Sequence, residues 1–504
     1  RPAEEPMSAK RVIVYHRPPF EEGAATGRTG RQEPSSPNGI VPTLKSYCAR
    51  HADACWIAAH HGPPGADVAR CVRVETGAGG YDLWRLSLAP EEVRSFYHIP
   101  SKEALWPILH GFRDRYNGAA ADWTTFRAVN RAFAEAAVAA AAPEGVIWVH
   151  DYNLWLVPRY VRELRPRAKI AFFHHTPFPA AEIFNVLPWR REILRSLLDC
   201  DTLGFHIPRY AANFLAAAQA AFDVRVVGER TTPAELSPRG QALSEPSTVT
   251  AIEHDGQRLP ITAWPVGVDV AQIEAIAGSE ATQAEATAIR RAYGGRRLII
   301  GVGRTDYTKG GVALLGAYAR LLARRPSLQG KVALMLVSVS AHRNMTGYRA
   351  VQAAIEGQVA EINEAYGSPD WQPVSLISNA LPLSTLIAQY RAADIAWITP
   401  LADGLNLVAA EFVAARSDGD GVLVLSEFAG TAVTMGEAVV TNPFSEPSMD
   451  QAIEAALDMG APERRARMAA LRHGGRGFDI EAWVAVHEQV FAELSARHKG
   501  RDAA

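Results

Sequence analysis

Eight short stretches of the chain are almost continuously apolar: "RVIVYH" (11–16), "GVIWVH" (145–150), "KIAFFHH" (169–175), "TLGFH" (202–206), "RLIIGVG" (297–303), "KVALMLVSV" (331–339), "DIAWITP" (394–400) and "GVLVLS" (421–426). They do not alternate polar and apolar residues as strands with one wet face do. Such runs predict strands covered on both faces, the condition of a parallel sheet. Between them lie stretches of helical period, such as "WTTFRAVNRAFAEAAVAAAA" (123–142) and "GGVALLGAYARLLARR" (310–325). Strand–helix alternation of this kind predicts doubly wound α/β units.

The strands fall into two groups that part near "AWPVGVDVAQIEAIAG" (263–278). We expect a disordered tail over 1–10, a Rossmann-like domain over 11–267 and a second over 268–478. The segment 479–504, with its amphipathic "DIEAWVAVHEQVFAELSARH", is expected to be a helix crossing back to the first domain. The polar stretch 225–262, with turn signals in "TTPAELSPRGQ" and "EHDGQRLP", reads as a loop or hairpin excursion. Two such domains put loops from the carboxyl ends of both sheets across one cleft.

Composition narrows the function. The chain has 504 residues, 48% of them hydrophobic, ample for two or three domains. Its formal net charge is −2, so no basic excess points to nucleic acid, and a phosphate site must be assembled from a few placed cations. The four cysteines, Cys48, Cys55, Cys71 and Cys200, form no C-x-x-C pair and read as buried thiols in a reducing compartment. No apolar run reaches the roughly 18 residues of a membrane span. "RPAEEPMSAKRVIVYH" lacks the apolar core of a secretory signal, and Met7 reads as a native start. The expectation is a soluble cytoplasmic enzyme without membrane or nucleic-acid partner, with homo-oligomerisation left open.

Two loop-to-helix transitions in the second half carry candidate chemistry. "GVGRTDYTKGG" (301–311) matches neither the phosphate loop nor the dinucleotide fingerprint, because Asp306 stands where a third glycine belongs. It offers Arg304 and Lys309 beside a helix start, which suits a diphosphate; a plain solvated loop is the other reading. "PLADGLNLVAAEFVAA" (400–415) offers Asp403 and Gly404 in a turn, then Asn406, Leu407 and Val408 at a helix start with amides free to meet an anion. Glu411 follows on an otherwise apolar helix face, placed to accept hydrogen bonds from a ribose diol. "SDGDG" (417–421) contains D-x-D, but between a helix and a strand it reads as a surface turn rather than a metal site.

In the first half, "SPNGIVPTLKS" (36–46) supplies Gly39 in a tight turn, and "WVHDYNLWLVP" (148–158) ends a strand on His150 and Asp151. "SFYHIPSKEALWPILH" (95–110) contributes Tyr97 and Trp106, whose rings suit a sugar or polyol unless they are core packing. "FFHHTPFP" (172–179) sets His174 beside His175. Neighbouring strand residues point to opposite sides, so the two need not share a ligand.

Together "YHRPPFEE", "SPNGIVPTLKS", "FYHIPSKEALWPILH", "WVHDYNLWL", "FFHHTPFPAAEIFNVLPWR" and "GFHIPRYAANF" resemble the trehalose-6-phosphate synthase family of retaining glycosyltransferases, over about residues 11–490. Within it the likeness is to the glucosylglycerol-phosphate synthase branch. Asn153 and His174 stand where trehalose-phosphate synthases typically carry a histidine and a leucine, which points away from glucose 6-phosphate as acceptor.

The resemblance implies two facing Rossmann-like domains (the GT-B architecture) and no cofactor or metal. It implies transfer of glucose from ADP-glucose to glycerol 3-phosphate with front-face retention, giving a compatible-solute precursor. Glucose 6-phosphate as acceptor, or a catalytically silent sugar-phosphate sensor, are the alternatives. It assigns Arg304 and Lys309 to the donor diphosphate, Gly39, Asp403, Gly404, Asn406, Leu407 and Val408 to donor contacts, and Glu411 to the ribose. His175 falls to the transferred glucose. Arg17, Tyr97, Trp106, Asp151 and Arg343 fall to the acceptor, with Asp151 also in the catalytic set. His174 would shape the acceptor pocket or pack.

Overall fold

The computed structural model describes residues 8–22, 31–32, 40–60, 70–76, 79–119, 121–233, 237, 240–340, 346–474 and 478–502. The described strands build two α/β units on two large sheets, beside a two-stranded ribbon of Glu21–Glu22 and Arg31–Gln32. The first sheet has ten strands, in the spatial order Arg225–Thr231, Ser247–His254, Gln257–Ala263, Thr202–Phe205, Lys169–His174, Ala141–His150, Ala9–Val14, Ala54–His60, Tyr81–Ser87 and Cys71–Val74. The seven from Gln257–Ala263 to Tyr81–Ser87 are parallel to one another, and both edges are antiparallel. The second sheet runs Val374–Ile377, Val332–Val339, Arg297–Arg304, Ile395–Ile398, Val422–Ser426 and Val439–Thr441, all parallel.

The apolar runs become strands because helices cover both faces of each sheet. Val12, Val14 and Ile57 pack with the helix Trp123–Ala140 on one side of the first sheet, and Ile13, Trp56 and Trp148 pack into a second core on the other. Asp122 caps Trp123–Ala140, its carboxylate accepting from the Thr125 amide at 3.0 Å.

Three departures from the sequence reading have plain causes. The stretch 225–262 contains the expected hairpin but goes further than an excursion: it supplies three strands of the first sheet, two of them joined at Asp255–Gly256, both in positive φ, as a tight hairpin requires. Ala54–His60 pairs with Ala9–Val14 but carries alanine and cysteine where branched residues usually advertise a strand. Cys71 is exposed, on the edge strand, whereas Cys48, Cys55 and Cys200 are buried.

The last helix, Ile480–Asp502, lies on the first sheet. Trp483 stacks on Trp148 with ring centroids 4.9 Å apart, and His487 packs on the same indole at 5.0 Å. Glu488 accepts from Arg11 at 2.7 Å and from the Tyr47 hydroxyl at 2.5 Å. Just before the helix the chain runs beside residues 267–268: the Val268 amide donates to Phe478 O at 2.6 Å and the Ile480 amide to Val268 O at 3.0 Å. The two sheets are thereby held with their carboxyl edges facing across one cleft.

Candidate active site

A cavity of about 190 Å³ opens where those edges meet. From the first sheet, Ala9–Val14 delivers Tyr15, His16 and Arg17, Ala141–His150 delivers Asp151, Tyr152 and Asn153, Lys169–His174 delivers His175, and Thr202–Phe205 delivers His206. From the second, Arg297–Arg304 ends on Arg304, and the loop beyond Ile395–Ile398 brings Asp403 to Val408. Parallel strands all end on one edge, so residues far apart in sequence converge there.

On the second unit the loop after Arg304 is tightly specified. Asp306 caps the turn Tyr307–Lys309 by accepting from the Thr308 amide at 2.9 Å, and its other oxygen lies 4.0 Å from Arg304. Gly310 sits at φ 71°, where a Cβ would strike the Thr399 carbonyl, so only glycine can open the helix Gly311–Arg324 there. Lys309 Nζ donates to Asp403 Oδ2 at 2.6 Å, and Asn406 Nδ2 donates to the same oxygen at 3.1 Å. Burial works to raise the Asp403 pKa, but the Lys309 charge and hydrogen bond, with His110 and Asn406, bring it below the usual value. Asn406, at φ 79°, caps Leu407–Ala415 through the Ala409 amide at 3.1 Å; its cap leaves the amides of Leu407 and Val408 at the cavity. Gly404 is pressed against the first unit: a Cβ on it would lie 2.6 Å from His175 O.

The ceiling comes from the segment 94–110. Arg94–Leu105 is a π-helix with Pro100 inside it; the Trp106 amide reaches back five residues to Ser101 O. The i→i+5 winding puts Tyr97 and Lys102 on one side, and Trp106 follows at the junction with Trp106–Leu109. Lys102 Nζ stands 4.2 Å from the Trp106 ring centroid and 5.4 Å from that of Tyr97, and the Arg304 guanidinium stands 5.6 Å from the Trp106 ring. Arg17, Lys102 and Arg304 all act on the Tyr97 hydroxyl and, against its burial, lower its pKa.

His175 and His174 part company. His175 lines the cavity; its Nε2 is 3.0 Å from His150 Nδ1, its amide donates to Asp151 Oδ1 at 3.2 Å, and its Nδ1 has no protein partner among the described residues. Burial, with the neighbouring imidazoles, drives its pKa well down, so it is neutral near pH 7. His174 instead faces a core of Trp155, Phe178 and Phe205, with Nδ1 3.0 Å from Thr176 O. It packs, and it does not line the cavity.

The profile of glycosyltransferase family 20 matches residues 9–493. The chain belongs to glycosyltransferase family 20. This family 20 enzyme is 44% identical over 480 residues to the glucosylglycerol-phosphate synthase of a Synechocystis species, covering 95% of its own chain and 96% of the relative's. It is 34% identical over 475 residues to the trehalose-6-phosphate synthase of Mycolicibacterium vanbaalenii, covering 94% of each. In structure it is similar to the trehalose-6-phosphate synthase OtsA, with a TM-score of 0.83 at 25% identity over 96% of this chain and 99% of the other. The two facing α/β units are thus the GT-B architecture, and the chain is a glycosyltransferase.

The fold of the family 20 enzyme brings Arg17, Tyr97, Trp106, Asp151, His175, Arg304, Lys309, Asp403, Gly404, Asn406, Leu407 and Val408 to one cavity. Glu411, half-buried on the helix that starts at Leu407, accepts from the Tyr390 hydroxyl at 3.1 Å, and burial pushes its pKa up to about 7. Gly39 and Arg343 lie outside the described residues. Asp418 and Asp420 of "SDGDG" are at the opposite edge of the second sheet, paired with Arg391, Arg416 and Arg464. A second void, of about 430 Å³, opens there, but its four arginines are all paired to aspartates. Sequence reading missed Lys102, His110 and His206. The signal for Lys102 was its distance of four residues from Trp106, which stacks the two on any helix.

Proposed function

We propose that the enzyme moves glucose from ADP-glucose to the 2-hydroxyl of glycerol 3-phosphate, with retention at the anomeric carbon and without a metal. The observation that carries this reading is the division of the cavity. Arg304, Lys309 and the helix-start residues Leu407 and Val408 line it from one unit, and Arg17, Tyr97 and Trp106 from the other. The higher identity to the glucosylglycerol-phosphate synthase relative than to the trehalose-6-phosphate synthase relative supports the acceptor.

In this reading the donor diphosphate meets Arg304, Lys309 and the helix-start amides, which stabilise charge as it develops on the leaving group. The acceptor hydroxyl enters on the face from which the diphosphate departs. A departing phosphate oxygen takes its proton, so no carboxylate nucleophile is needed, unlike in a retaining glycosidase. His175 offers its unpartnered Nδ1 to a hydroxyl of the transferred sugar, and Asp151 orients the acceptor. Product analysis with ADP-, GDP- and UDP-glucose, each against glycerol 3-phosphate and glucose 6-phosphate, tests the reading. Glucosylglycerol phosphate from ADP-glucose is expected; trehalose phosphate as main product would replace it.

A further inference from the structure

Lys102 is a lysine that a fold should not bury without a reason. It is 5% exposed, and among the described residues no carboxylate lies within ion-pair distance of its ammonium. Buried lysines are normally paired, because an isolated ammonium away from water is strongly disfavoured. Here the amine is held between the rings of Trp106 and Tyr97 and lines the cavity that Arg17 and Arg304 also line. Cation–π contact fixes its position without neutralising its charge.

From this placement we infer that Lys102, together with Arg17, binds the phosphate of the acceptor and is a determinant of acceptor choice. This rests on the functional reading above and deepens it. The Tyr97 and Trp106 rings on either side of the amine supply flat apolar faces for the carbons of a short polyol. The phosphate then sits at the cationic end and the attacking hydroxyl points toward Asp151 and the donor. In this reading Arg304 serves the donor diphosphate and Arg343 lies outside the described residues, so among the described cavity residues Lys102 is the cation placed to join Arg17. Burial, with repulsion from Arg304 and Arg17, lowers the Lys102 pKa, while Tyr97 and Asp306 oppose that. A dianion entering between Lys102 and Arg17 relieves the repulsion, so the empty site is preorganised for it. A compact ammonium suits a phosphate that is approached from one side.

The test is Lys102→Met, which keeps the length and the apolar contacts, with Lys102→Arg beside it. Affinity for glycerol 3-phosphate and for ADP is measured by calorimetry, and steady-state kinetics with each substrate varied. Lys102→Met should weaken glycerol 3-phosphate about a hundredfold, the scale for removing one buried partner of a charge pair. ADP affinity and the donor KM should stay within about twofold, and Lys102→Arg should recover part of the loss. The melting temperature of Lys102→Met should hold or rise, because an unpaired buried cation is gone. An unchanged acceptor affinity overturns the assignment. So does an equal loss for acceptor and ADP with a fallen melting temperature, which makes Lys102 a folding residue. If wild type turns over glucose 6-phosphate and not glycerol 3-phosphate, the functional reading fails instead, and the same comparison with glucose 6-phosphate still decides Lys102.

Discussion

Lys309 and Asp403 meet at 2.6 Å across the mouth of the second sheet, one from the loop after Arg297–Arg304 and the other from the loop after Ile395–Ile398. The pair fixes the ammonium at the start of two helices while leaving two of its three donors for a ligand. Lys309→Ala and Arg304→Ala are each expected to lower the rate on the order of 10²–10³-fold, the scale for one charge contact made in the transition state. Circular dichroism should change little for Lys309→Ala, while the melting temperature should fall modestly because Asp403 loses its partner. Near-normal turnover in either variant removes that residue from the catalytic list.

Asp403→Asn separates anchoring from charge. The amide can still accept from Lys309, but the ion pair is gone and the ammonium is freer to wander. The donor KM and kcat should both suffer, and the acceptor KM should move less. An Asp403→Asn enzyme with wild-type donor kinetics would show that the pair is only structural.

Turnover is expected to need no divalent metal. Arg304, Lys309 and the Leu407 and Val408 amides supply positive charge where the leaving diphosphate would sit, the task a metal otherwise performs. Rates in excess chelator should match those in buffer. A loss that Mg²⁺ or Mn²⁺ restores would sink this idea.

Much of the fold was legible because parallel strands buried on both faces have to be apolar throughout: Arg297–Arg304 and Val332–Val339 could be read almost to the residue. Ala54–His60 was not, since its burial comes from neighbours that the local sequence does not show. The two loops proposed to hold the donor were legible through placed cations and helix starts. His175 was legible only through resemblance, because nothing in "FFHH" tells which histidine faces the cleft. Lys102 was hidden by helix geometry. At 3.6 residues per turn, positions 97 and 102 diverge by about 140°, and only the wider winding of Arg94–Leu105 brings them together. Glu411 keeps its proposed ribose role, and only its bond to Tyr390, distant in sequence, was hidden from the local pattern.

Asp151 gives a pH-dependent stability signature. It sits at φ 71°, and burial pushes its pKa from 3.8 up to about 6, against hydrogen bonds from the Tyr152, His175 and Thr176 amides and the charge of Lys102. A carboxyl whose folded pKa is raised favours folding below its unfolded pKa, and that contribution is lost as pH rises through the folded value. Asp151→Asn keeps the shape and tolerates positive φ. It should therefore raise the melting temperature at pH 7.5, and the gain should shrink as pH falls from about 6 toward 4. A gain independent of pH, or none, would show that the carboxylate is well compensated where it stands.

The last prediction concerns acceptor choice. Glycerol 3-phosphate is much smaller than glucose 6-phosphate, so part of the acceptor space must be filled by protein. His174 does not fill it, being packed against Trp155 and Phe178. The groups that do face the cavity are Tyr97, Lys102 and Trp106 from above, His16 and Arg17 from the first strand, and Asn153. Asn153 Nδ2 donates to Ser101 Oγ at 2.5 Å, which ties the floor of the cavity to its ceiling. That link holds the 94–110 segment down and limits the height available to a sugar ring. Glycerol 3-phosphate should therefore exceed glucose 6-phosphate by at least roughly tenfold in kcat/KM, about 1.4 kcal/mol. Arg17→Ala should raise the acceptor KM far more than the donor KM, because its planar fork suits a phosphate monoester. Asn153→Ala, which releases the ceiling, should narrow the preference by improving glucose 6-phosphate more than it harms glycerol 3-phosphate. Equal or better use of glucose 6-phosphate by the wild type would falsify the acceptor reading and leave family membership untouched.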